Sequence, residues 1–299
     1  MPALGLRLAA MNYRHAYHAG NFADVVKHAA LTLVIERLKR KDAPFRVIDT
    51  HAGIGLYDLG SEEAQKTGEW RSGIGRLLGP DAHTPPTPVA EILGPYLDVV
   101  RSENPSGLLE RYPGSPALAR RLLRPQDRLV VNELQPEDAA VLAAAFAGDR
   151  QTKVMQLDGW VALKALLPPK ERRGVILVDP PFEQPGEFPR LLTGLREAVK
   201  RFATGIYLLW YPIKNPLDSE VFNRDLAMHS DKLMTVELLV RTPVDISRLN
   251  GSGLAILNPP YGLREDLGAI LPRLADTLAQ GDGAIGRVRL SIKENPRKS

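Results

Sequence analysis

Two short stretches of this 299-residue chain share one pattern: GVILVDPPFEQ at 174–184 and GLAILNPPYGL at 253–263. Each runs an apolar strand into an acid or amide, two prolines and an aromatic. The residue before a proline is pushed out of helical space. A proline pair gives no N–H to a ladder and locks an extended corner. At Asp179, Pro180, Pro181 and Phe182 the corner offers a carboxylate, a backbone carbonyl freed at Pro180 and an aromatic face. That trio suits a planar amine on a base. Two oxygens accept its two N–H bonds, and the ring of Phe182 stacks on the base. The exocyclic amine of adenine is a poor nucleophile, because its lone pair is delocalised into the ring. Two acceptors draw it toward a pyramid and aim the lone pair at an electrophile such as a methyl sulfonium. The rest is positioning and charge stabilisation.

Three other places could serve the same reaction. DTHAGIG at 49–55 puts Gly53 and Gly55 just after a strand, where the backbone can approach a ligand closely. A dinucleotide fingerprint wants a third glycine three residues on, and Gly60 arrives late. Glu133 ends the next strand and could accept from both ribose hydroxyls of an adenosine. Asp158 ends the one after and could accept from the adenine amino group. Taken singly, each acid also reads as a helix N-cap. In this order, at successive carboxyl ends of a parallel sheet, they line the crevice where ligands bind.

The elements that must position these residues follow from periodicity. Residues 21–41 read as a helix capped by Asn21, with a 3.6-period stripe from Phe22 to Leu33. Lys27 and His28 fall off that stripe, which points them away from the core. Apolar strands are expected at 45–49, 127–134, 153–159, 174–181, 205–212, 234–243 and 253–260, with helices at 136–147, 159–167 and 188–202 between the earlier ones. Strand–helix alternation means a parallel sheet covered on both faces. The short link between the sixth and seventh strands forces antiparallel pairing. The expected fold class is α/β: a seven-stranded, mostly parallel Rossmann-like sheet with an antiparallel edge strand. This order resembles class I S-adenosylmethionine-dependent methyltransferases. The domain reading is an extension at 1–11, the catalytic domain at 12–56 and 113–299, and a small inserted helical subdomain at 57–112. Strand order also separates the twins. Asp179 sits one crossover after Asp158 with strands still to come, whereas Asn258 ends the seventh strand, where the proline pair stops the sheet and Tyr261 packs.

Composition narrows the class. Hydrophobic content of 44% and charge of 25% fit a soluble globular protein. The net charge of +4 is compatible with a phosphate-bearing partner. The absence of cysteine excludes disulfides, zinc ribbons and a cysteine nucleophile, and fits a reducing compartment. No apolar run reaches membrane-spanning length, and Met11 offers a second start. His15, His18, His28 and His51 cluster early, but no zinc motif such as H-E-x-x-H is present, so no metal is expected.

YRHAYHAGNFADVVKH (13–28), DTHAGIG (49–55), YPGSP (112–116), DPPF (179–182) and RFATGIYLLWYP (201–212) together resemble the RlmJ-type 23S ribosomal RNA adenine-N6 methyltransferases, from Asn12 to the C-terminus. The resemblance implies S-adenosylmethionine as cofactor, with Lys27 and His28 at its methionine moiety. It places Ser115 and Glu133 at the adenosine and ribose, Asp158 and Gly159 at the adenine, and Asp179 as the catalytic residue that holds the target amine. It implies Tyr13 near the substrate base. Without it, Tyr13 and Lys27 read as surface residues and Ser115 as a turn residue. The family usually ends its motif in Tyr where this chain has Phe182, which keeps stacking and loses a hydroxyl. The implied partner is 23S rRNA, free or in an early assembly intermediate, met by a cytoplasmic monomer with no membrane role. Phosphates are expected at residues 12–20 and at one of the basic runs 111–128, 170–173 or 200–201. Open beside this reading stand a DNA adenine-N6 methyltransferase and a non-catalytic nucleic-acid-binding or DNA-uptake factor on the same fold. A dehydrogenase is disfavoured by the glycine spacing.

Overall fold

The structure, a computed structural model, describes residues 14–293 apart from 81, 83 and 84. Tyr13 and the N-terminal extension lie outside the described residues. In chain order the helices and strands are α1 (Phe22–Lys39), β1 (Arg46–Asp49), β2 (Leu56–Asp58), α2 (Glu62–Thr67), α3 (Gly75–Leu78), α4 (Thr87–Ser102), β3 (Arg111–Pro113), α5 (Ser115–Leu122), β4 (Arg128–Asn132) and α6 (Pro136–Ala145). There follow β5 (Thr152–Met155), α7 (Gly159–Ala165), β6 (Gly174–Val178), α8 (Glu187–Arg201), β7 (Ile206–Ile213), α9 (Pro216–Ala227), β8 (Lys232–Leu239), β9 (Gly251–Leu257), α10 (Leu263–Leu278) and β10 (Ile285–Ile292).

The main sheet has eight strands in the order β10-β8-β9-β7-β6-β1-β4-β5. Two sequence expectations are corrected here. The count is eight rather than seven, because β10 adds an edge strand beyond β8. An antiparallel strand does form the edge, as expected, but it is β10 and not β9. Strand β9 lies between β7 and β8, antiparallel to both. The eighth strand was legible: Val288 and Leu290 alternate with Arg287 and Arg289, and the apolar pair packs onto the core. Asn258 therefore does not end the last strand.

Strands β1, β4 and β6 are apolar on both faces because helices cover both faces. Val47, Val175 and Leu177 join the apolar cluster that also holds α1, α4, α5 and α10, whereas Ile48, Ile176 and Val178 join the one that holds α7 and α8. Helix α1 starts where Asn21 Oδ1 accepts from the N–H groups of Ala23 and Asp24 at 2.9 and 3.0 Å. It is buried almost all round, from Phe22 to Ile35. The stripe in its sequence marks one of several covered faces, so Lys27 and His28 do not reach solvent, contrary to expectation. Residues 57–112 begin and end on one ladder: β2 pairs antiparallel with β3 through Tyr57↔Tyr112. Leu93, Tyr96, Leu97 and Val100 of α4 join the apolar layer that also holds α1 and α10. Among the described residues no helix is long and apolar enough to cross a membrane.

Candidate active site

Parallel register decides where the acids meet. Asp49 pairs with Val131 on one side and Leu177 on the other, so the ends of β1, β4 and β6 are level. Asp49, Glu133 and Asp179 therefore stand at one edge of the sheet. Asp158 joins them from the turn after β5. Above them lies a cavity of about 740 Å³, lined among others by Lys27, His28, His51, Gly53, Ser115, Glu133, Asp158, Gly159, Asp179 and Pro180. That size and its few convergent polar groups match a small-molecule site.

The glycine turn is shaped by contact. Gly53 and Gly55 have φ of +59° and +85°, and a Cβ on Gly53 would lie 2.2 Å from the Tyr57 hydroxyl. The Gly53 N–H donates to Glu133 Oε2 at 2.8 Å, and the Gln135 N–H to Glu133 Oε1 at 2.9 Å. Glu133 thus holds the turn, and each oxygen keeps a second lone pair for a ligand hydroxyl. Burial raises the Glu133 carboxyl above its ordinary value. Asp158 is both cap and cavity residue. Its Oδ1 accepts from the N–H groups of Trp160 and Val161 at 3.0 and 3.1 Å, while the second oxygen takes no part in the cap. Gly159 is required by close approach, since a Cβ there would meet His51 Nε2 at 2.4 Å.

Lys27 is 3% exposed, and its ammonium bridges two carboxylates. Nζ lies 2.8 Å from Asp24 Oδ1 and 2.5 Å from Asp179 Oδ2. Burial pulls the lysine pKa down, but Asp179 and Asp24 outweigh it and leave the group raised and protonated. Asp24 also accepts from the Gly20 N–H at 2.9 Å and faces His15 Nε2 at 3.0 Å. Burial pushes Asp24 up; His15, Lys27 and His28 together hold it well below the usual carboxylate range. His28 sits 2.7 Å from the Tyr112 hydroxyl, and burial draws it down to about 3, so its ring is neutral. Ser115 Oγ donates to Asp49 Oδ2 at 2.6 Å, so this supposed turn residue opens α5 inside the site.

Sequence reasoning left three groups unassigned: Asp24, Asp49 and His51. His51 lines the cavity edge-on to Trp160, ring centroids 5.8 Å apart, and burial lowers it to about 4. Its place two residues after Asp49, inside the glycine turn, was the available signal. One expected residue falls elsewhere. Phe182, at φ +52°, packs its ring against Phe188 and Trp210 at 5.0 and 5.7 Å rather than lining the cavity. Tyr13 is outside the described residues. His15 and His18, three apart in sequence, face different carboxylates, Asp24 and Glu69.

The twin corner at 258–261 is at the wrong end of the sheet. Because β9 runs against β7, with Tyr207 opposite Leu257, its carboxyl end lies at the amino edge of the parallel strands. There Asn258 Nδ2 donates to the carbonyls of Ala203 and Gly205, both at 2.8 Å. Tyr261 is 92% exposed and does not pack, which corrects the sequence expectation.

Asp49 carries a pH prediction. Burial pushes its carboxyl from an ordinary 3.8 up to about 6, against the Ser115 hydroxyl and the His51 N–H. A raised carboxyl contributes stability that is complete below about pH 4 and lost as pH climbs through about 6. Two units correspond to about 3 kcal/mol. The Asp49→Asn variant, which has no charge to bury, is expected to match the wild type near pH 4. Without cofactor at pH 7 it should exceed the wild type by up to about 3 kcal/mol. Urea midpoints at the two pH values measure this, and a gap that narrows with rising pH would refute it.

A family model described as "Ribosomal RNA large subunit methyltransferase D, RlmJ" matches residues 42–290. The Escherichia coli (strain K12) protein named "Ribosomal RNA large subunit methyltransferase J" is 44% identical over 269 residues, covering 90% of this chain and 94% of that protein. Its namesake from Haemophilus influenzae is 40% identical over 277 residues, covering 92% and 96%. Among solved structures, protein LPL1258 from Legionella pneumophila superposes with a TM-score of 0.82 at 33% identity, covering 93% of this chain and 99% of that one.

Proposed function

The chain belongs to the RlmJ family of ribosomal RNA large subunit methyltransferases, and from that premise we propose that it methylates the N6 amine of one adenine in 23S ribosomal RNA. The observation that carries the reaction is Asp179, at the end of β6, standing on the wall of an acid-lined cavity and ion-paired to Lys27. S-adenosylmethionine is the methyl donor, and when bound it supplies an electrophilic methyl on a sulfonium. The cavity fits such a cation: Glu133, Asp138, Asp158, Asp179, Glu183 and Glu187 line it, against the cations Lys27 and Arg190. Glu133 accepts the ribose hydroxyls through its unused lone pairs, and Asp158 takes the adenine amine. Gly53 and Gly159 let the backbone close on the nucleoside. Neutral His28 and His51 and the Ser115 hydroxyl add polar lining without adding charge.

Chemistry at the target needs no strong base. Asp179 and the Pro180 carbonyl accept the two N–H bonds of the amine and draw its lone pair out of the ring. Lys27 holds Asp179 in place. The transferred methyl leaves a positive charge on nitrogen, which the carboxylate stabilises before the proton leaves for water. The base must be flipped into the cavity, which costs a few kcal/mol and least in loosely structured RNA. That favours free 23S rRNA or an early assembly intermediate. A ribosomal substrate fits a cytoplasmic location.

The test is incubation with isotopically labelled S-adenosylmethionine and ribosomal RNA lacking the modification. Label is expected in 23S RNA as N6-methyladenosine. Label in DNA, or in another base, would overturn the assignment.

A further inference from the structure

The basic runs that the sequence offers for RNA binding are on the wrong side of the molecule. Arg128 and Gly174 pair with Arg46 at the amino edge of the sheet, opposite the cavity. Lys170 to Arg173 lead into β6, and Lys200 and Arg201 close α8 just before β7, at that same edge. Several of these cations are also committed internally. Arg120 pairs with Asp149, Arg121 with Glu103 and Arg124 with Asp127, while Arg173 donates to the carbonyls of Ala43 and Leu38.

The cavity edge carries a different set. Ile213, Leu239 and Gly251 are level with one another, so the β7–α9 turn and the β8–β9 loop both emerge on the cavity side. β7 runs four residues past its last pairing with β6, at Val178↔Leu209. At about 3.3 Å per residue the β8–β9 loop stands roughly 13 Å above the Asp179 corner, and two to three strands, about 10–14 Å, to its side. It forms a raised wall beside the place where a flipped base enters.

This wall is built rigidly. Asn250, 1% exposed, donates its amide to the carbonyls of Lys214 and Asp245 at 3.0 and 2.7 Å. Its own N–H bonds the Ile213 carbonyl at 2.9 Å. Thr242 and Gln280 tie the loop to the turn before β10. On this frame stand Lys214, Arg241 and Arg248. Burial, then the nearby Arg248, lowers Arg241 from its ordinary value. Lys214 and Arg248 are exposed and make no side-chain hydrogen bond or ion pair among the described residues. Val244 and Ile246, 85% and 58% exposed, form an apolar tip between them. Three cations against the loop's one carboxylate, Asp245, beside two exposed apolar side chains, suit a polyanion that carries flat apolar faces.

Resting on the function proposed above, we propose that Lys214, Arg241 and Arg248 grip the phosphates of the single-stranded RNA flanking the flipped adenine, with Val244 and Ile246 against its unstacked bases. The β8–β9 loop is thus the substrate-side RNA contact, and the amino-edge clusters are not.

The test compares RNA binding by the full chain over a range of salt. Each phosphate contact to a single strand contributes about 0.7 to the slope of log Kobs against log[salt]. The triple variant Lys214→Gln/Arg241→Gln/Arg248→Gln is expected to lower that slope by about 2. It should raise KM for RNA while leaving S-adenosylmethionine affinity unchanged. Arg241 also donates to the Leu249 carbonyl and to Gln280, so Lys214→Gln/Arg248→Gln is the version that spares the loop, with an expected loss of about 1.4. The control Lys170→Gln/Lys200→Gln/Arg201→Gln should keep the wild-type slope. An unchanged slope in the double variant, or a loss confined to the amino-edge control, overturns the proposal while wild-type methylation of RNA still stands. No methylation of RNA by the wild type would instead sink the underlying function.

Discussion

Replacing Asp179 with Ala is expected to cut kcat for methyl transfer by roughly 10²–10³, the usual cost of removing one preorganised polar group from a developing charge. The fold should survive, because Lys27 keeps Asp24 at 2.8 Å as its counter-ion. Melting temperature should therefore move little. That separation makes the result informative: a loss of kcat at constant stability assigns Asp179 to the reaction and not to the scaffold. Asp179→Asn keeps one oxygen that can accept from the amine but loses the negative charge, so its rate should fall between the two. Single-turnover rates with labelled cofactor measure all three. An Ala variant retaining more than about a tenth of the wild-type rate would remove Asp179 from the chemistry.

Lys27→Met is expected to produce the larger loss of stability. The lysine is 3% exposed and compensates two carboxylates, one of them, Asp24, 1% exposed. Removing one partner of a buried ion pair leaves an uncompensated charge and costs about 3–5 kcal/mol. For a chain of this size that lowers the melting temperature by on the order of 10 °C. The deficit belongs to the orphaned acid, so Lys27→Met/Asp24→Asn should recover part of it. The double variant should stay inactive, because Asp179 has still lost its positioning partner. Differential scanning calorimetry of the two variants, beside their methylation rates, checks both halves. A double variant no more stable than Lys27→Met would show that Asp24 is carried by His15 and the Gly20 N–H alone.

Both predictions turn on contacts that differ in how legible they were. Alternation of apolar runs with helical stretches makes a parallel sheet, and a parallel sheet puts the ends of successive strands in one row. From that alone Glu133, Asp158 and Asp179 could be placed around one ligand, and the glycine spacing of 49–55 could be set beside them. Asp158 shows that the modest reading and the functional one were not exclusive: the same carboxylate caps α7 and lines the cavity. Tertiary packing overrode the sequence wherever a residue's face, rather than its place in the chain, was at issue. Lys27 lies off the apolar stripe of α1, and an amphipathic helix would leave it in water. It is buried because α4, α5 and α10 cover the faces that periodicity assigned to solvent. Phe182 lies in a motif that suits stacking, yet aromatic neighbours on α8 and β7 hold its ring.

Local chemistry was thus determined by the sequence itself: which strands end in acids, in what order, and that prolines lock the corner after β6. Those are properties of neighbouring residues, which steric limits and burial patterns express directly. Only the tertiary structure decided which edge of the sheet each feature occupies. The insertion of β9 between β7 and β8 turns the 258–261 corner to the far edge and lifts the 240–250 loop to the cavity. The length of the crossovers carries 170–173 and 200–201 to the side away from it. Strand direction is a relation between segments far apart in the chain, set by which faces close on one another, and no run of residues states it.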